Sequence, residues 1–209
     1  MKVNTNAWNR LRYNFYAPVY DLIARPLVSG RKRSIQLLDL QPNSDVLIVG
    51  AGTGLDFPLL PRTAHILAID LSPNMLQRAS ERAIRLGLDA DCRVMNAEVL
   101  DLPDESFDAV ILHLVLAVVP DPDACIREAA RVLKSSGRIA IFDKFLSDES
   151  RPSFLRRVVG MLTNTLFSDI NRRLGPLLAH GGLEILTKEP SILSGAYVVV
   201  VAGKMGHRQ

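Results

Sequence analysis

Three glycines at alternate positions, Gly50-Ala51-Gly52-Thr53-Gly54, follow directly on the apolar run Val46-Leu47-Ile48-Val49. A chain needs glycine where its torsions are unusual and where a ligand must approach without a Cβ in the way, and such a bend opening a helix is a ready site for a nucleotide or nucleoside. A dinucleotide fingerprint counted from Gly50 asks for glycine at position 55, where Leu55 stands, and this weighs against NAD without removing it. Asp70 closes a second apolar run, Ile66-Leu67-Ala68-Ile69, where a carboxylate can accept hydrogen bonds from both ribose hydroxyls of a nucleoside lying across the strand ends. A helix-capping or surface acid is the alternative. Asn96 follows Arg93-Val94-Met95; its side-chain carbonyl and the Ala97 amide can read a base edge, and an Asx turn accounts for Asn96 almost as well.

The elements that must hold these residues are legible in the periodicity. After Pro42, short apolar runs (Val46–Val49, Ile66–Ile69, Arg93–Met95, Phe107–Leu114, Arg138–Phe142) alternate with helical stretches. One helix has Ser72 as N-cap, Pro73 just inside, the stripe Met75, Leu76, Ala79, Ala83 and Leu86, and Gly87 as its stop. Another has Asp121 as cap, Pro122 in its first turn, Cys125, Ile126, Ala129, Ala130 and Leu133 buried, and Gly137 closing the turn beyond. Strands alternating with helices predict a mostly parallel sheet wound on both faces. The tail, Leu183–Thr187 and Gly195–Ala202, has no long helix between its strands, which predicts an antiparallel hairpin at the edge.

With 209 residues the chain has room for one α/β domain. The longest apolar stretch, Val110–Val119, is interrupted by His113 and reaches about half the ~20 residues of a membrane-spanning helix. The polar start, with no apolar leader core, leads to the expectation of a cytosolic chain. Cys92 and Cys125 read as buried small hydrophobes, with no metal site expected. Net charge is +3, and its distribution is uneven: Lys2, Arg10, Arg12, Arg25, Arg31, Lys32 and Arg33 crowd the start against one acid, Asp21. Trp8, Leu11, Phe15, Val19 and Leu22 fall near one helical face beside Arg10 and Arg12, with Pro18 breaking the helix in two. Phe154-Leu155, Val158-Val159, Met161-Leu162 and Leu166 repeat at helical spacing, flanked by Arg151, Arg156 and Arg157. Both segments read as basic amphipathic helices that lie on an anionic bilayer, or else as helices covering the core with a solvated basic face.

The succession Val46–Gly54, Ile69–Leu76 (Ile-Asp-Leu-Ser-Pro-Asn-Met-Leu), Asn96–Pro103 and Ser106–Val110 resembles the ordered motifs of class I S-adenosylmethionine-dependent methyltransferases, over residues 44–143. Gly54–Pro61, Val118–Pro122 and the Tyr20-Asp21 and Gly30-Arg31 region are similar to bacterial phosphatidylethanolamine N-methyltransferases. Three positions depart from these patterns: Ile48 where an acid often precedes the glycine bend, Asn96 where Asp is usual, and Asp143-Lys144-Phe145 where the subfamily tends to Asn-His-Phe. The resemblance implies a Rossmann-like α/β fold with a seven-stranded sheet, residues 42–209 as the cofactor-binding domain, and residues 1–41 as a helical arm serving as lid and membrane contact.

It also implies S-adenosylmethionine as cofactor, leaving as S-adenosylhomocysteine, bound by Gly50, Ala51, Gly52, Thr53, Gly54, Asp70, Leu71, Met75, Asn96, Ala97, Glu98 and Arg31. Tyr20, His113 and Asp143 are the candidate catalytic groups, since an amine must be unprotonated when it attacks. Trp8, Arg10, Arg12, Tyr16 and Lys144 are the candidate contacts to substrate or membrane. The acceptor expected is a phospholipid ethanolamine at the inner face of the membrane; a quinone precursor, another small lipophilic or thiol acceptor, and a cofactor-binding module without turnover are the alternatives. No nucleic-acid partner is expected, because no Asn/Asp-Pro-Pro-aromatic tetrad is present. No obligate protein partner is evident.

Overall fold

A computed structural model describes residues 4–145, 172–191 and 196–206. The basic amphipathic stretch around Phe154–Leu166 lies outside the described residues. Seven strands form one sheet in the order β3-β2-β1-β4-β5-β7-β6. The strands are β1 (Asp45–Val49), β2 (His65–Asp70), β3 (Ala90–Val94), β4 (Phe107–His113), β5 (Leu133–Lys144), β6 (Leu183–Pro190) and β7 (Tyr197–Lys204). β1 to β5 run parallel, while β7 is antiparallel to both β5 and β6, as the missing helix in the tail predicts.

β1 lies in the interior of the sheet between β2 and β4, and its unbroken apolar run follows from burial on both faces. Leu47 and Val49 enter one core with α5 (Pro122–Val132) and α6 (Leu174–His180); Val46 and Ile48 enter the other with α3 (Val28–Leu38) and α4 (Pro73–Leu86). Ile48 is 1% exposed and packed among Ile35, Ala79 and Ala140, so an acid at this position would sit unpaired in an apolar layer.

The capping chemistry holds. Ser72 Oγ accepts from the Met75 amide at 3.1 Å, the Asp121 carboxylate accepts from Ala124 N at 2.9 Å, and Gly87 ends α4 with φ 63°. One boundary differs: Leu133 and Gly137, expected at the end of a helix, belong to β5. A bulge at Phe107/Ala109 lets Leu133 pair with Phe107 before regular pairing resumes at Arg138.

The N-terminal segment breaks at Pro18 into α1 (Asn6–Tyr16) and α2 (Tyr20–Ala24). α3 is no part of a separable arm. Its Ile35 and Leu38 are core residues, and a Cβ on Gly30 would overlap the Phe142 ring of β5. The division drawn at residue 41 therefore cuts through one packed layer, whereas α1 and α2 contribute no described residue to either apolar core.

Candidate active site

The sheet reverses its winding beside β1, since β2 and β3 lie on one side and β4 and β5 on the other. In open α/β sheets ligands bind in the crevice outside the carboxyl ends of the strands at this switch. The registers Val49↔Ile69, Ile69↔Arg93 and Val49↔Leu112 bring Gly50, Asp70, Met95–Asn96 and His113 to that one edge. A cavity opens there, roofed by α1 and α2.

Gly50 and Gly52 form its floor with φ of 67° and 56°, torsions that favour glycine. A Cβ built on Gly52 would meet nothing nearer than Tyr20 Cε1 at 3.6 Å, so the space over this glycine belongs to the cavity. Asp70 accepts Gly52 N and Ser72 N, one on each carboxylate oxygen, both at 2.9 Å. Burial raises its pKa, and these amides only partly oppose that. A carboxylate offers about four acceptor directions, so capacity remains for a ligand's hydroxyl donors. Leu71, Met75, Asn96 and Ala97 line the same cavity, with the Asn96 carbonyl also held in an Asx turn by Glu98 N at 3.1 Å.

Not every expected contact faces this space. Ala51 and Gly54 lie behind the bend, and the Thr53 hydroxyl donates to Asp21 of α2. Glu98 holds the arm: its carboxylate accepts Asn6 Nδ2 at 2.7 Å and Asp121 N at 2.6 Å. Arg31, expected at the cofactor carboxylate, is 4% exposed and donates from Nη1 to both oxygens of Asp56, at 3.0 and 2.8 Å. Asp143, expected to face the acceptor, is fully buried outside the cavity lining and accepts Ala117 N at 2.9 Å and Lys144 N at 2.8 Å. Burial pushes its pKa up to about 6 against those two amides. It braces the turn after β4. Lys144 lies over the Tyr197 ring, 5.8 Å from its centroid, again outside the lining. Arg12 is turned inward, with Nη2 donating to Asn9 Oδ1 at 2.8 Å and its guanidinium over Tyr13, which removes it from the surface role expected of it.

His113 and Tyr20 do line the cavity. His113 Nδ1 lies 2.9 Å from Asp56 Oδ1. Burial by itself would raise the Asp56 pKa, but Arg31 and His113 outweigh it and hold the carboxyl well below the usual range. An ionised carboxylate can only accept, so Nδ1 carries a proton, and it is the tautomer with its lone pair on Nε2 that this contact selects for the neutral ring. Nε2 finds no hydrogen-bond partner among the described residues. Burial raises the Tyr20 phenol despite nearby Arg31, keeping it a protonated donor.

Sequence reading missed Asp56, Asn6, Asn9 and Tyr13. An acid inside the apolar run Gly54-Leu55-Asp56-Phe57 signals a buried charge in need of a partner. Asn6, Asn9 and Tyr13 recur at helical spacing opposite Leu11 and Phe15, and all three line the cavity.

A glycine bend after the first strand, an acid closing the second and this strand order define a Rossmann-like methyltransferase fold. The methyltransferase domain family matches residues 47–141. The phosphatidylethanolamine N-methyltransferase of Cereibacter sphaeroides is 33% identical over 154 residues, 73% of this chain and 76% of that protein. The demethylmenaquinone methyltransferase of Tropheryma whipplei is 34% identical over 145 residues, 66% of this chain and 59% of the relative. Among solved structures, geranyl diphosphate C-methyltransferase from Streptomyces coelicolor, crystallised with S-adenosyl-L-homocysteine, superposes with a TM-score of 0.73 over 85% of this chain and 79% of that one, at 17% identity. The chain belongs to the class I S-adenosylmethionine-dependent methyltransferases, and S-adenosylmethionine is its cofactor.

Proposed function

We propose that the enzyme N-methylates the ethanolamine head group of a phospholipid at an anionic membrane surface on the cytosolic side, carrying phosphatidylethanolamine through its methylated intermediates toward phosphatidylcholine. The observation that carries this is the two-faced arm. Asn6, Asn9, Tyr13 and Tyr20 roof the cavity, while Leu11, Phe15, Val19 and Leu22 are 51–79% exposed beside the exposed Arg10 and Arg25. Trp8, at 39% exposure, extends the apolar patch. Apolar side chains with basic neighbours suit the interface of an anionic bilayer, to which each Lys or Arg contributes about 1 kcal/mol. A lipid docked there would have its head group beside the cavity mouth. The similarity to the Cereibacter sphaeroides enzyme supports the same acceptor. Among the described residues no helix is long and apolar enough to cross a membrane.

S-adenosylmethionine supplies a methyl group already activated for in-line displacement, so the protein mainly aligns the acceptor and excludes water. Gly50 and Gly52 would give the ligand room, Asp70 would accept its ribose hydroxyls, Asn96 and the Ala97 amide would hold its base, and Leu71 and Met75 would pack beside it. His113 Nε2 accepts the ammonium proton; Asp56 fixes its tautomer and offsets the charge it gains, as carboxylate–imidazole pairs do. The Tyr20 hydroxyl, held protonated, positions the acceptor nitrogen or its neighbouring phosphate. Arg31 serves Asp56, and through it His113.

Labelled S-adenosylmethionine with phosphatidylethanolamine vesicles tests the proposal, the products being resolved by chromatography. Mono-, di- and trimethylated lipid is the expected result. Label transferred to a demethylmenaquinone while the vesicles stay unlabelled overturns it. That outcome would establish the second reading, a quinone-type acceptor, which the Tropheryma whipplei relative favours.

A further inference from the structure

We propose that Asn6, at the start of the arm, reads the exocyclic amino group of the cofactor's adenine, so that base recognition is shared between the sheet edge and the lid. This rests on the adenine lying at the β3 end of the cavity, beside Asn96 and Ala97. With the ribose at Asp70 on β2, a base extending away from the glycine bend reaches the next strand outward, which is β3.

Asn6 lines the cavity at that end, since its Nδ2 donates at 2.7 Å to Glu98, two residues beyond Asn96. The orientation of its amide is fixed by chemistry. Glu98 Oε1 already accepts the Asp121 amide at 2.6 Å, and an ionised carboxylate offers only acceptors, so the NH2 of Asn6 must be the group facing Glu98. The carbonyl oxygen is thereby turned the other way. Asn6 Oδ1 is buried and has no hydrogen-bond partner among the described residues. A buried unpaired carbonyl is costly, and a ligand N–H donor at the cavity is the natural remedy. Asn96, the neighbouring side chain able to accept, already holds its carbonyl on Glu98 N at 3.1 Å. The amino group of adenine is a donor that needs an acceptor, and Asn6 supplies one.

The test compares calorimetric affinities for S-adenosylhomocysteine and for its analogue with purine in place of adenine, which lacks only the amino group. The native protein should prefer the adenine compound by about tenfold or more, as expected when an unpaired buried acceptor is left behind. Asn6→Ala should reduce that preference to about threefold or less, chiefly by weakening the adenine compound. Glu98→Gln can donate to Asn6 Oδ1 and releases the amide to rotate, so it should also shrink the preference while leaving both contact residues able to hydrogen-bond. Thermal melting of each variant checks that it is folded. A large native preference left untouched by Asn6→Ala overturns the proposal, because the amino group is then read elsewhere. No native preference at all also overturns it, because the amino group then meets no buried acceptor.

Discussion

Replacing Asp70 with Asn isolates the one group on which cofactor affinity should depend most. Each Asp70 oxygen holds one backbone amide at 2.9 Å, and on the proposed reading acceptor directions left over would serve the ribose hydroxyls. Asn keeps the shape, presents one carbonyl instead of two oxygens, and removes the charge. Hydrogen bonds to a charged partner contribute about 1.5–3 kcal/mol each, so losing one of them should raise the Kd for S-adenosylhomocysteine roughly 10- to 150-fold. The free protein should barely notice. One of the two amides loses its acceptor, a cost of about 1 kcal/mol, but the charge removed is one that burial was already disfavouring. A net change near that size moves the melting midpoint of a chain this long by about 2–4 °C at most. Titration calorimetry and thermal melting on the same sample separate the two effects. A folded Asp70→Asn protein whose Kd stays within about threefold of the native value would refute the assignment of Asp70 to the ribose.

Gly50→Ala should lower stability, measured by denaturant unfolding. The φ of 67° costs an L-residue about 1–2 kcal/mol, and its Cβ would stand 2.9 Å from Val115 Cγ2; an unchanged midpoint contradicts the packing described. His113→Gln should reduce acceptor methylation by about 10²–10⁴-fold while the protein stays folded, whereas near-native activity would place the base elsewhere. Leu11→Glu with Phe15→Glu should weaken sedimentation with anionic vesicles while leaving cofactor affinity intact, and equal partitioning would exclude the arm as the docking element. Asp143 carries a raised pKa of about 6, so its contribution to stability is fully present below pH ~4 and is lost as pH rises through about 6. The difference in melting temperature between native protein and Asp143→Asn should therefore turn against the native protein over that window, and a difference flat across it argues against the buried carboxylate.

The sheet was readable because its signals are local: apolar runs ending at Gly50, Asp70 and Asn96 mark where strands stop, and Ser72-Pro73 and Asp121-Pro122 mark where helices start. The antiparallel edge followed from a missing helix. The strand start at Leu133 was not readable, since the apolar stripe of α5 runs straight into β5 and only the bulge against Phe107 decides the matter. Asp70, Met75 and His113 line the cavity at the strand ends where their positions put them. Arg31, Glu98 and Asp143 do not, for a common reason. Each is a charged side chain whose partner is remote in sequence or is a backbone amide: Asp56 for Arg31, Asn6 and Asp121 for Glu98, Ala117 for Asp143. Reading a sequence shows that a charge is present near an edge, but its direction depends on which buried group needs it more.

Helix α1 buries Asn9 and Arg12 and no apolar side chain. Its ties run through Asn4 and Asn9 to the Val118 carbonyl, Asn6 to Glu98 and Asn14 to Ser72, with Asp21 of α2 adding a clasp to Arg82. Water can replace every one of these bonds at little net expense, whereas greasy packing would resist. The roof over the cavity is thus latched by polar contacts that solvent can take over, and its attachment should loosen well before the two apolar cores beneath it do.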